Sequence, residues 1–266
     1  LLGIQSSDYV KEGSTTGFSF GAAKVNITKI LAVSFLIGVY FSTNEKTSRL
    51  YSFILFSYFL LVVFGLKRGV ILSLILPSVL FLNQTSGLKN IFKISLVITF
   101  LIAVSMPLWE GIFNERLEAR EKNIGSIAEN YETEGRYNEV FDVIDSFEKD
   151  SFFHLLFGSE PFNSPLYFRV TRMLHSDYTI LIHGGGIIGF LLFFIFLIMI
   201  FRAIKPYHYL KKEYWLIVGL LIIQLILSVS GSVYLITVRS SIFLVIGLAI
   251  RHMEYQHHSR FLNERL

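Results

Sequence analysis

The chain contains no cysteine. That excludes a disulfide framework, a thiolate zinc site and a cysteine nucleophile, and leaves the compartment open. Charge is scarce as well: 17% of the 266 residues are charged against 53% hydrophobic, and the mean hydropathy is +0.56. A soluble domain cannot cover that much apolar surface, so the composition indicates an all-α polytopic membrane protein. No metal-ligating cluster and no cofactor motif is present. Gly184-Gly185-Gly186 is not a phosphate loop, since no strand precedes it and no Lys-Ser/Thr follows. The sequence pI near 9.1 does not mark a nucleic-acid partner, because the basic residues are scattered in short turns between apolar runs. There is no signal-peptide pattern. Residues 1–23 are polar, rich in Gly, Ser and Thr, and read as a loop, with Leu1 rather than Met at the start. The expectation is the carboxy-terminal part of a longer protein.

What is there is a set of apolar runs. Seven candidate spans can be drawn, at Val25–Ser42, Leu50–Leu66, Gly69–Leu82, Ile91–Trp109, Tyr178–Phe201, Tyr214–Ser230 and Val233–Ile250. Several are shorter than the ~20 residues that cross a bilayer squarely. Gly69–Leu82 also contains Pro77 and reads either as a span or as a re-entrant segment. Into this background is set one polar block, Glu110 to Leu174, which holds 13 of the 20 acidic residues and 7 basic ones. By the positive-inside rule the block faces outward. The alternation then leaves every inside segment basic, including Lys89 and Lys93, Lys46 and Arg49, Arg202 to Lys212, and Arg251 to Arg265. Three regions follow: 1–109 with four spans, 110–177 as a large helical outer loop, and 178–266 with three spans and an inner tail.

Basic residues on the outer side stand out. Lys67 and Arg68 lie between two spans, as a surface turn or a functional pair. Arg239 lies at or inside the outer end of the last span, where an ionisable group costs about 3 kcal/mol and tends to be paired or functional. Within the loop, Glu132 to Asp150 has helical periodicity. Tyr137, Phe141, Ile144 and Phe147 form one stripe, and Glu139, Asp142, Asp145 and Lys149 the opposite face. This predicts an amphipathic helix with its apolar side on the membrane or on the spans beneath, and its acidic side solvated. Arg136 opens that helix after Gly135. A cation there opposes the helix dipole, so it pairs with a nearby carboxylate or serves the site. A short helix is expected at Ile112–Lys122. Leu156-Phe157-Gly158 reads as a helix stop and turn. His175 stands where the loop returns to the membrane, with Asp177 beside it. An interfacial histidine is either structural or a proton acceptor oriented by a carboxylate. His183 follows two turns later, and the glycines 184–186 and 189 allow close approach of neighbouring helices.

Four of these elements occur in the order found in the O-antigen polymerase and O-antigen ligase superfamily, which the chain resembles across roughly residues 60–200. Lys67-Arg68-Gly69-Val70 is similar to the family's Ser-Arg-Gly at the head of a span. Gly135-Arg136 opens a helix in the long outer loop, and Leu156-Phe157-Gly158 follows it. His175-Ser176-Asp177-Tyr178 with Gly186-Ile187-Ile188-Gly189 is similar to His-Asn-x-Tyr and Gly-hydrophobic-hydrophobic-Gly. The departures are Lys67 for serine, Ser176 for asparagine, Tyr137 in place of a tryptophan after Gly-Arg, and His183 where an acidic or aromatic residue is usual. The resemblance implies a bundle of the GT-C type in a bacterial cytoplasmic membrane, with ten or more spans in the complete protein. It also implies an undecaprenyl-diphosphate-linked glycan as donor and no cofactor. By position, Arg68 and Arg136 would bind the diphosphate and count as catalytic. His175 would accept the proton of the attacking hydroxyl or hold the phosphate. Arg239 joins them as a diphosphate-binding candidate from its depth and side alone.

The lead expectation is a polymerase of lipid-linked repeat units, with membrane lipid and a chain-length regulator as its further partners. The alternatives are a ligase that passes the glycan to lipid A core, a transporter of lipid-linked glycan, and a non-catalytic envelope scaffold. No repeat relates the spans on either side of the loop, which weighs against the transporter.

Overall fold

The computed structural model describes residues 21–42, 68–86, 135–149, 151–159, 176–229 and 236–263. Among the described residues the protein is all-helical. The helices are α1 (Gly21–Ser42), α2 (Arg68–Ser86), α3 (Gly135–Lys149), α4 (Phe152–Phe157), α5 (Asp177–Ile204), α6 (Lys211–Val229) and α7 (Ile236–Asn263). A 3-10 turn at Lys205–Tyr207 with Pro206 joins α5 to α6. The expected spans Leu50–Leu66 and Ile91–Trp109 and the expected helix Ile112–Lys122 lie outside the described residues.

Among the described residues, two helices are long and apolar enough to cross a membrane: the α5 segment Asp177–Tyr207 and α6. Apolar stretches within α1 and α2 are shorter, at Lys29–Phe41 and Val70–Thr85. Their surroundings differ sharply. α6 is the central element and packs against α1, α2, α5 and α7, burying Leu216, Ile217, Leu220, Ile223 and Leu227. α5 is peripheral, and few of its apolar side chains are buried.

Close approach of the central helices rests on one small residue. A Cβ on Gly219 would come within 2.7 Å of Leu36 Cδ2 and 3.4 Å of Pro77 Cβ, so α6 meets both α1 and α2 at this position. Between apolar helices such proximity matters because dispersion, not water exclusion, drives association in lipid. Pro77 does not stop α2. The helix runs through it, so the segment Gly69–Leu82 is a continuous helix in its described form. Proline removes one backbone donor and crowds the preceding turn, a cost that packing against α6 offsets here.

Three helix limits differ from the sequence expectation. α1 begins at Gly21, so the last residues of the stretch read as a loop are helical. α2 extends to Ser86. α7 does not end at Ile250 but continues to Asn263, about 42 Å in all at 1.5 Å per residue. No glycine or proline interrupts Ala249–Asn263, and the polar residues there are compatible with a helix once it is nucleated.

Helix directions follow from pairs of contacts. Tyr40, near the end of α1, donates to Glu213 Oε1 at the start of α6 (3.1 Å), and its ring meets Phe81 near the end of α2. α1 and α2 are therefore parallel to each other and antiparallel to α6. At the other end, Tyr178 at the start of α5 donates to Leu225 O late in α6 (2.9 Å), and Arg239 at the start of α7 meets Asp177. The amino termini of α2, α5 and α7 thus gather at one end of the bundle, where α3 and α4 also dock.

Candidate functional site

The first turn of α5 organises that end. A helix amino terminus leaves backbone N–H groups unpaired and carries partial positive charge, so it calls for acceptors and anions. Ser176 is the N-cap, with extended φ/ψ of −86° and 135°, and its hydroxyl accepts from Tyr178 N (3.3 Å). The Ser176 N–H donates to Glu139 Oε1 of α3 at 2.9 Å, and the Thr179 hydroxyl donates to the same oxygen. Asp177 carries the anionic charge into the turn and pairs with Arg239 Nη2 of α7 at 2.5 Å. Tyr178 reaches α6 through its hydroxyl and stacks on Phe194.

Four consecutive residues, Ser176 to Thr179, therefore hold three other helices. Ser176 and Thr179 hold α3, Asp177 holds α7, and Tyr178 holds α6. Glu139 and Asp177 are both fully buried. A buried carboxylate is tolerated only when it is paired or hydrogen-bonded: Asp177 has Arg239, and Glu139 Oε1 accepts from two donors of the α5 terminus. The Arg239 side chain is 23% exposed, and its buried Nε has no hydrogen-bond partner among the described residues. A guanidinium has five N–H donors, so the contact with Asp177 leaves capacity for a further anion.

One level further along, α5 breaks. Gly186 has φ 61° and ψ −167°, a conformation that belongs to glycine alone. The break brings in the end of α4. Gly158 has φ 87°, the Ser159 N–H donates to His183 O at 2.8 Å, and Gly158 N donates to His154 O at 2.8 Å. A Cβ on Gly158 would overlap the backbone of Gly184, and one on Gly186 would overlap the carbonyl of Leu156. The two glycines interlock α4 with α5. The helix stop expected at Leu156-Phe157-Gly158 is present. The glycine run after His183 does serve close approach, but its neighbour is the α4 turn. His183 itself is fully buried beside the break.

The sequence-derived site residues fall as follows. Arg68 is the first residue of α2 and Arg136 the second of α3, one turn before Glu139; their side chains lie outside the described residues. Arg239 is in the first turn of α7. All three positions belong to helix starts at the same end of the bundle. His175 lies outside the described residues, immediately before the N-cap. Asp142 and Asp145 are exposed, as expected.

Glu139 is the correction. The periodicity places it on a solvated acidic face, yet it is fully buried as the acceptor for the α5 terminus. A helical wheel shows which residues share a face, not which neighbour needs an acceptor. The signal that could have found the Asp177–Arg239 pair was present: an arginine at span depth needs a counter-ion, and Asp177 opens an adjacent span.

No protein-family model, curated protein or solved structure matches this chain.

Proposed function

We propose that the protein is a membrane glycosyltransferase that polymerises lipid-linked oligosaccharide repeat units. The donor in this reading is an undecaprenyl-diphosphate-linked glycan, used at the outer face of a bacterial cytoplasmic membrane. About seven spans in a GT-C-like arrangement carry one large outer loop, of which α3 and α4 are part. The observation that carries the reading is the gathering of positions Arg68, Arg136 and Arg239 at the end of the bundle where that loop docks.

The chemistry suits such a cluster. An acceptor sugar hydroxyl attacks the anomeric carbon, the anomeric C–O bond breaks, and a lipid diphosphate departs with growing negative charge. Arginines at a partly desolvated site stabilise that charge by paired N–H···O contacts. The hydroxyl proton passes to His175 in this scheme, directly before the clamped turn of α5. Asp177 holds the Arg239 guanidinium at the mouth, and Glu139 fixes the helix that bears Arg136.

The test is the surface polysaccharide of cells lacking the full-length gene, complemented with wild type or Arg136→Ala, with membrane expression checked in parallel. Core capped by a single repeat unit in the null and the mutant is the expected result. Polymer accumulating on the undecaprenyl carrier with bare core would indicate a ligase instead. Normal polysaccharide in both strains would overturn the envelope-glycan reading.

A further inference from the structure

Going round α3 at ~100° per residue separates three sectors. Glu139 and Val143 are buried against the bundle. Val140, Ile144 and Phe141 form an exposed apolar arc beside them, with Phe141 63% exposed. Asp145 and Asp142 complete the circle on an exposed acidic arc. A helix in water needs two sectors, one docked and one wet. A third, exposed and apolar, needs a different medium.

α4, which packs against α3, adds Phe152, Phe153 and Phe157, exposed by 68%, 70% and 60%. No residue of this six-residue helix is buried, although its sequence is Phe-Phe-His-Leu-Leu-Phe. Its end is locked at the α5 break by Gly158 and Ser159. Directly beyond that break, α5 exposes Ile187, Ile188, Leu191 and Leu192. The apolar surface of the loop helices therefore continues onto the apolar surface of a helix able to span the membrane.

The level can be estimated. Counting ~20 residues, one hydrocarbon thickness, back from Arg202 reaches Ile182. The lock at His183–Gly186 then sits at the outer hydrocarbon boundary. Irregular backbone is tolerated at that level only where protein bonds satisfy it, as the Ser159 N–H to His183 O bond does.

We infer that α3 and α4 form an interfacial helix pair, seated at the boundary between headgroups and acyl chains of the outer leaflet. Its apolar arc lies against bilayer acyl chains, and its acidic arc faces water. The inference rests on reading α5 as a span. It deepens the proposed function, because Arg136 and Arg239 then stand at headgroup level, where a lipid-linked diphosphate arrives from the leaflet rather than from water.

The absence of native cysteine makes the test direct. Single cysteines at Phe153, Leu192 and Asp142 would be labelled with an environment-sensitive fluorophore in the full chain. Each would be reconstituted in phosphatidylcholine–phosphatidylglycerol vesicles carrying a doxyl quencher at acyl carbon 5 or 12. All three side chains are exposed, so the substitutions disturb little packing, and Phe157→Cys serves as a second probe of α4. The expected result is loss of most fluorescence at position 153 with the shallow quencher and less with the deep one. Position 192 should show the reverse order, and position 142 little quenching by either. An unquenched 153 beside a quenched 192 would overturn the interfacial placement and leave the span standing. Preferential deep quenching at 153 would overturn it as well. An unquenched 192 would remove the span reading and the inference with it.

Discussion

The two ends of the helix bundle differ in how many polar groups they take out of water. At the end bearing the α5 amino terminus, Asp177 and Glu139 are fully buried, and their partners come from helices 62 and 37 positions away in sequence. At the end bearing the α7 tail, contacts are more open. Arg251 and Glu254 pair at 3.1 Å with side chains 82% and 44% exposed, and His252 stands 3.9 Å from Glu213. Tyr209 shares a 2.6 Å hydrogen bond with His257 and lies under Arg260 at 5.3 Å. Water competes for the exposed tail pairs, so they hold little energy individually; Glu213 is the exception at this end, buried and accepting from Tyr40 of α1 at 3.1 Å. Where water is excluded, each polar contact has no substitute and its loss leaves a buried group stranded. Position along the bundle therefore decides the weight of a pair more than its distance does. The clamped end is a defined constellation; the tail end is a solvated surface outside the single Tyr40–Glu213 contact.

That contrast can be broken in order of expected effect. Gly186→Ala should be the most damaging. The backbone strain alone costs about 1–3 kcal/mol, and the new methyl overlaps the Leu156 carbonyl. Little folded protein should survive detergent extraction followed by size-exclusion chromatography. Survival at wild-type yield would mean that the interlock with α4 is dispensable.

Asp177→Asn comes next. Removing one partner of a buried ion pair costs about 3–5 kcal/mol, and the partly exposed Arg239 puts the expected loss at the lower end. Thermal unfolding of Asp177→Asn, Arg239→Gln and the double variant forms the cycle. The double variant should be less unstable than the sum of the singles, whereas simple additivity would show that the pair is not coupled.

Glu139→Ala should cost about 1–2 kcal/mol, the scale of a lost helix cap with its acceptor. Limited proteolysis should then cleave at α3 sooner, while Glu139→Gln, which keeps a carbonyl oxygen, should protect it. Equal cleavage of wild type and Glu139→Ala would argue that Val143 and its neighbours alone hold α3. At the tail end, Arg251→Ala should shift stability by no more than about 0.5 kcal/mol. A larger loss there would erase the distinction between the two ends.

Much of the helical framework was legible from hydropathy. The core stretches of α1, α2, α5, α6 and α7 coincide with expected spans, because a long apolar run between polar turns has few other stable forms. The amphipathic period of α3 and the glycine stop after α4 were also visible. What each side chain meets was less accessible. Glu139 shares the acidic face of its helix, yet the α5 terminus recruits it away from water. Asp177 stood out only as the neighbour of His175, whereas its Oδ2 engages Arg239, 62 positions further along the chain. The glycines after His183 promised close packing without naming the partner.

Composition and periodicity determined that this chain forms apolar helices and concentrates its acids in one block, since those properties depend on neighbours a few residues apart. Only the tertiary structure decided that Ser176 to Thr179 would clamp three helices, that Gly186 would break α5 to receive α4, and that Glu139 would be buried. Each of those outcomes depends on satisfying a backbone or charged group with an atom far away in sequence. No local pattern encodes which distant atom that will be.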